Sequence, residues 1–90
     1  MSFLTIFLLL AFGTGVWGNT PEQIAAWKEL AENGFFQAQF NLGLAYYLGD
    51  GVPQDKKEAV KWWRKAAEQG YVDAQYNLGG AFVLDLDLAP

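Results

Sequence analysis

AENGFFQAQFNLG at residues 31–43 and AEQGYVDAQYNLG at residues 67–79 are one phrase written twice, 36 residues apart. Aligned without gaps, eight of thirteen positions are identical, and Asn33/Gln69, Phe35/Tyr71 and Phe40/Tyr76 are near-swaps. In a chain of 90 residues this constrains the fold more than any other feature. Self-similarity at such a period marks stacked units, each carrying an apolar face that it cannot bury alone.

The local signals around the repeat are helical. Thr20-Pro21-Glu22-Gln23 predicts a helix start: Thr20 as N-cap, Pro21 in the first turn, Gln23 closing a capping box. Ile24, Trp27, Leu30 and Ala31 recur at helical spacing, and Gly34 supplies the stop. A second helix is expected over about 36–48, with Ala38, Leu42, Ala45 and Tyr46 on its buried face. Gly43 beside them lets a neighbouring helix come close. Gly49-Asp50-Gly51-Val52-Pro53 cannot continue a helix and reads as a turn of fixed shape, with Val52 as its inward plug. Asp55 and Glu58 form a capping box for a third helix, which presents Ala59, Val60, Trp63, Ala66 and Ala67 on one face, with Trp62 a little off it. Gly70 mirrors Gly34. A fourth helix then repeats the second, with Ala74, Leu78, Ala81 and Phe82 answering Ala38, Leu42, Ala45 and Tyr46. The expected fold class is all-α, a short solenoid of stacked antiparallel helix pairs.

Residues 1–18 stand apart. They carry no charged side chain, and Phe3 to Phe12 is apolar except for Thr5. That run is too short for the roughly 20 residues of a membrane span and suits the core of a signal peptide. Cleavage after Gly18 is expected, with Gly15 as the other candidate, and the product would be secreted or periplasmic. No Lys or Arg precedes the apolar run, which argues against a signal peptide; the alternatives are a retained membrane anchor, since all eighteen residues are uncharged and nearly long enough to span, and a buried helix. The repeat domain then spans 19–84, and 85–90 is a tail.

Composition removes several classes of function. There is no Cys and no His, so the usual zinc ligands and any imidazole-assisted nucleophile are missing. The net charge of −4 is the wrong sign for phosphate neutralisation, which argues against nucleic acid. Asp50 with Asp55, and Asp85 with Asp87, are paired carboxylates. The first pair flanks a turn and a cap and the second lies near the chain end, so neither predicts the desolvated pair that acid/base work needs. Asp50 and Asp55 also lack the alternating oxygens of a calcium loop. No cofactor, no metal and no small-molecule substrate are expected.

Ala38, Leu42-Gly43, Tyr46, Gly49-Asp50-Gly51-Val52, Asp55, Glu58-Ala59, Trp62-Trp63 and Lys65-Ala66-Ala67-Glu68-Gln69-Gly70 together resemble a Sel-one-like repeat, a relative of the tetratricopeptide repeats. The resemblance covers about residues 22–84. It implies a right-handed α/α superhelix that binds other proteins as an adaptor or scaffold and has no catalytic activity. One unit is complete, about 37–70. It is preceded by the second helix of another unit and followed by the first helix of a third. Where a second Gly-x-Gly-Val turn would fall, the chain reads Asp85-Leu86-Asp87-Leu88, and Leu44 is answered by Gly80.

In such folds the concave groove is lined by the first helix of each pair. The candidate partner-binding residues are therefore the positions not evidently used for packing: Gln39, Asn41, Leu44, Tyr47, Gln75 and Asn77. Asn41 and Asn77 are equivalent and suit a peptide backbone; the competing reading is that such amides tie adjacent helices together. Phe82, Val83 and Leu84 have no following helix to cover them, which predicts homodimerisation through that end or docking of a protein or peptide partner. The basic stripe Lys57, Lys61, Arg64 and Lys65 reads as a solvated helix face before a docking face. Aromatic residues make 17% of the chain, so a carbohydrate or cell-wall binder is the alternative function, for which exposed Trp62 and Trp17 are the evidence to seek.

Overall fold

The computed structural model describes residues 18–85, and among these it contains four α-helices and no strand. They are α1 (Pro21–Glu32), α2 (Phe36–Leu48), α3 (Lys56–Glu68) and α4 (Val72–Leu84). Residues 1–17 of the expected signal segment, Trp17 among them, and residues 86–90 of the expected tail lie outside the described residues. No helix among the described residues is long and apolar enough to cross a membrane.

The ends of the helices are set by the signals read in the sequence. Thr20 Oγ1 accepts from the Gln23 backbone N–H at 3.1 Å, and Asp55 Oδ1 accepts from the Glu58 N–H at 3.1 Å. Each bond satisfies one of the donors that a helix start leaves unpaired. At Asp55 the box is not closed in the expected way. Its own N–H donates to the Tyr46 carbonyl at 2.8 Å, and the Glu58 carboxylate faces Lys61 at 3.4 Å. The capping residue is thereby spent on holding the turn to α2.

α1 and α3 end identically. Gly34 and Gly70, at φ 93° and 91°, donate to Ala31 and Ala67, while Phe35 and Tyr71 donate back to Leu30 and Ala66. This is the paired bonding of a helix stop built on a left-handed glycine.

Each helix packs on the next in chain order, which is the one-dimensional stacking of a solenoid. Two buried clusters result. The first joins Ile24, Ala31, Ala38, Leu42, Ala45 and Trp62, with Val52 plugging its side as expected. The second joins Val60, Trp63, Ala66, Ala74 and Ala81, with Phe40, Tyr47, Leu78 and Phe82 against it. Neighbouring tryptophans of α3 therefore serve different layers. Trp62 was expected beside the packed face, yet it is 7% exposed. α3 has a neighbour on each side, so two side chains about 100° apart on the helix are both covered. Phe82 is likewise half-buried, whereas Val83 and Leu84 are exposed as expected.

Gly43 is where the layers come closest. A Cβ there would lie 2.4 Å from the Trp63 ring, so only glycine lets the indole rest on the α2 backbone. Trp63 Nε1 donates to the Phe40 carbonyl at 3.2 Å, and the Tyr47 ring lies 5.2 Å away centroid to centroid. Tyr71 completes the joint, 4.9 Å from Phe36 and edge-on to Phe40 at 5.1 Å. Burial, and then the nearby Asp73 carboxylate, raise the Tyr71 phenol above its ordinary pKa, so it packs as a neutral ring.

Candidate functional site

α2 carries no charged residue, and its stripe Gln37-Asn41-Leu44-Leu48, at spacings of four, three and four, faces a run of three depressions. The first, of about 400 Å³, is lined by Trp27, Leu30, Phe35, Gln37, Ala38 and Asn41. The second, of about 200 Å³, lies between Asn19, Trp27, Asn41, Leu44, Leu48 and Asp50. The third, of about 330 Å³, is formed by Leu44, Tyr47, Trp63, Tyr76, Asn77 and Gly80 with Leu84 at its edge. Asn41 borders the first two and Leu44 the last two. The depressions thus form one groove along α2 that crosses onto α4.

Four of the six candidate residues line this groove: Asn41, Leu44, Tyr47 and Asn77. Asn41 and Asn77 are half-buried, and neither has a hydrogen-bonding partner among the described residues. Leu44 and Tyr47 serve twice, since both also pack against the second cluster. The Lys56 ammonium sits 5.3 Å over the Tyr47 ring.

The two glutamines do other work. Gln39 is 4% exposed. Its Nε2 donates to the Ala31 carbonyl at 3.1 Å, and its Oε1 accepts from Gln69 Nε2 at 2.9 Å. Gln75, its equivalent, donates to Ala67 O at 3.3 Å. Each answers a carbonyl in the last turn of the preceding helix, where intrahelical donors have run out. Gln39 is corrected from groove residue to helix tie, and the exposed Gln75 repeats that tie.

Reading the sequence missed the upper groove, Trp27, Leu30, Gln37 and Leu48. The signal was present in the four-three-four spacing through Asn41 and Leu44. Tyr76, the near-swap of Phe40, is 81% exposed, because among the described residues no helix covers α4 as α3 covers α2. The exposed Trp62 that a carbohydrate surface would need is absent: its ring is buried, with Lys61 and Lys65 at 5.8 and 5.1 Å. Two members of the basic stripe therefore shield an indole.

Asp50 is a clamp that no spacing rule suggested. Its Oδ1 accepts from the Asn19 backbone N–H at 2.9 Å, and its carbonyl accepts from Asn19 Nδ2 at 3.1 Å. The turn between α2 and α3 is thereby fastened to the start of α1, forming a wall of the second depression. Asp55 is the α3 cap. Among the described residues no cluster of His, Cys, Asp or Glu is arranged to hold a metal ion.

Comparison with known proteins agrees with this geometry. The Sel1 repeat model matches residues 36–71 and 72–85, which are the complete unit and the half unit after it. A Sel1 repeat protein from Oxalobacter formigenes is similar over 70% of this chain at 44% identity, with a TM-score of 0.68. The protective antigen c5321 of uropathogenic Escherichia coli strains, which displays an SLR fold, is similar over 69% at 45% identity and the same TM-score of 0.68. The chain spans 26% and 13% of the lengths of those two proteins. No curated protein sequence matches it. The chain belongs to the Sel1 repeat family, whose members in general mediate protein–protein interaction and are non-catalytic scaffolds.

Proposed function

We propose that the chain is an interaction module that seats an extended peptide segment of a partner protein in the groove along α2 and α4. The pair Asn41 and Asn77 carries this reading. The two amides are half-buried, repeat-equivalent and without a partner among the described residues. A side-chain amide offers both donors and an acceptor, which is what a peptide backbone needs to be held in register. The depressions of about 200–400 Å³ between them suit small and medium apolar side chains of the peptide, and the uncharged α2 selects against charged ones at the centre.

The test is selection from a random-peptide display library on the immobilised full chain. Replacing both Asn41 and Asn77 with Ala is expected to weaken the selected peptides by about tenfold or more. Lys57→Ala, on the exposed side of α3, is expected to leave them unchanged. Binders indifferent to the double substitution, or no binders at all, would overturn the reading.

The module is proposed to act outside the cytoplasm, with residues 1–18 removed on export. Support comes from Asn19. Cleavage after Gly18 turns its backbone nitrogen into an α-ammonium, and that nitrogen lies 2.9 Å from Asp50 Oδ1. The existing bond then becomes charge-assisted. Mass spectrometry of the protein recovered from the exported fraction is expected to show Asn19 as the first residue; a chain there that retains Met1 would refute processing.

A further inference from the structure

A second surface, on the opposite side of α4 from α3, goes beyond the groove. The repeat supplies its template. On α2 the residues Phe36, Phe40, Gly43 and Tyr47 form the face that receives α3, through Trp63 and Tyr71. Their equivalents on α4, 36 residues on, are Val72, Tyr76, Gly79 and Val83. At Gly43 a Cβ would strike the Trp63 indole at 2.4 Å, whereas at Gly79 nothing lies within 4 Å. Val72, Tyr76 and Val83 are 69%, 81% and 79% exposed. The same receiving face is therefore built a second time and is unfilled among the described residues.

Charge narrows what fills it. α3 carries Lys56, Lys57, Lys61, Arg64 and Lys65 against Glu58 and Glu68. α4 carries one charged residue, Asp73, and no Lys or Arg. It is thus net negative and the helix type that fits its template is positive, a complementarity that favours approach. A second copy is a poor occupant. Its own α3 is committed, with Trp63 only 2% exposed, and a second α4 brings no basic residue to meet Asp73.

We propose that the Val72-Tyr76-Gly79-Val83 face of α4 docks a basic amphipathic helix of a partner protein, one that places a tryptophan on Gly79 as Trp63 is placed on Gly43. The partner helix carries α3's pattern: a β-branched residue three before the tryptophan, and small residues three and four after it, as in Val60, Trp63, Ala66 and Ala67. Its indole N–H donates to the Tyr76 carbonyl, the counterpart of Phe40.

The probe is a synthetic peptide of residues 55–71, stapled through the exposed positions 64 and 68 so that it is helical before binding and keeps its four lysines. Its association with the full chain is followed by fluorescence anisotropy. Saturable binding is expected. Trp63→Ala in the peptide, or Gly79→Ala in the protein, is expected to weaken it by about tenfold or more, and raised salt to weaken it further. Gly79→Ala fills open space within a helix, so the thermal midpoint of that variant is expected not to fall, and loss of binding cannot then be laid to unfolding. Absence of binding up to about 1 mM peptide would overturn the proposal. So would binding that Gly79→Ala leaves intact, and so would a dimer, seen by light scattering, that occupies this face and resists the peptide.

Discussion

Gly43 and Gly79 are one residue in two copies of a repeat, yet their surroundings predict substitutions of opposite sign. Gly43→Ala drives a methyl into an indole 2.4 Å away that is pinned by its own hydrogen bond, and overpacking of this kind costs about 1–3 kcal/mol. Gly79→Ala meets nothing and removes backbone freedom from the unfolded chain, a gain of about 0.5–1 kcal/mol. Urea unfolding of the two variants is expected to bracket the wild type; a loss at Gly79 comparable to that at Gly43 would contradict the difference between the sites. The adjacent tryptophans make a second contrast. Trp63 Nε1 is bonded to Phe40, whereas the buried Trp62 Nε1 has no partner among the described residues. Trp63→Phe is therefore expected to cost about 1–2 kcal/mol in lost bond and area. Trp62→Phe discards an unsatisfied donor along with part of its attraction for Lys61 and Lys65, and is expected to change stability by less than about 1 kcal/mol.

Among the elements, α3 is the most firmly specified. It has a bonded Asp55 cap, a basic residue in its last turn, and a buried tryptophan in each layer. Asp55→Ala is expected to cost about 1 kcal/mol from the cap alone. The measured loss should match that of Thr20→Ala in α1, because the bond that holds the turn to Tyr46 is made by the Asp55 backbone N–H and survives the substitution; a clearly larger loss at Asp55 in thermal melts would mean that the carboxylate also holds the turn. The starts and stops of α1 and α3 were legible because each rests on chemistry confined to a few neighbouring residues: Thr20, Gly34, Asp55, Gly70. Half of the candidate site was legible for a similar reason, since Asn41 and Leu44 mark one helical stripe. What was not legible depends on other elements. Gln39 reads as a surface amide until the carbonyl end of α1 is set beside it. Asp50 reads as a turn residue until Asn19 is. Tyr76 reads as a match for Phe40 until the surroundings of the two are compared, because the period of a repeat announces a packing face without announcing what covers it.

At the scale of the molecule, stability in a stacked array is a sum over neighbouring interfaces, so position in the stack matters as much as sequence. α2 and α4 are near copies with different fates. α2 is covered on two sides, by α1 and α3, while α4 packs on α3 and exposes Val72, Tyr76, Val83 and Leu84. α4 also starts without a side-chain cap and holds Gly79 and Gly80 mid-helix; at about 0.5–1 kcal/mol each, two such glycines weaken an already one-sided helix. Native-state hydrogen exchange is therefore expected to be fastest in α4 and slowest across α2 and α3, with α4 opening as a unit below the global unfolding free energy. Its most protected amides should exchange at least about tenfold faster than those of α2, a gap of about 1.4 kcal/mol. The α3-like helical peptide that fills the open face should close that gap, because binding restores to α4 the second neighbour that α2 already has. Uniform exchange across all four helices would show that the open end contributes no local weakness. Slowed exchange spread evenly over the chain on adding peptide would show that the peptide does not act through α4.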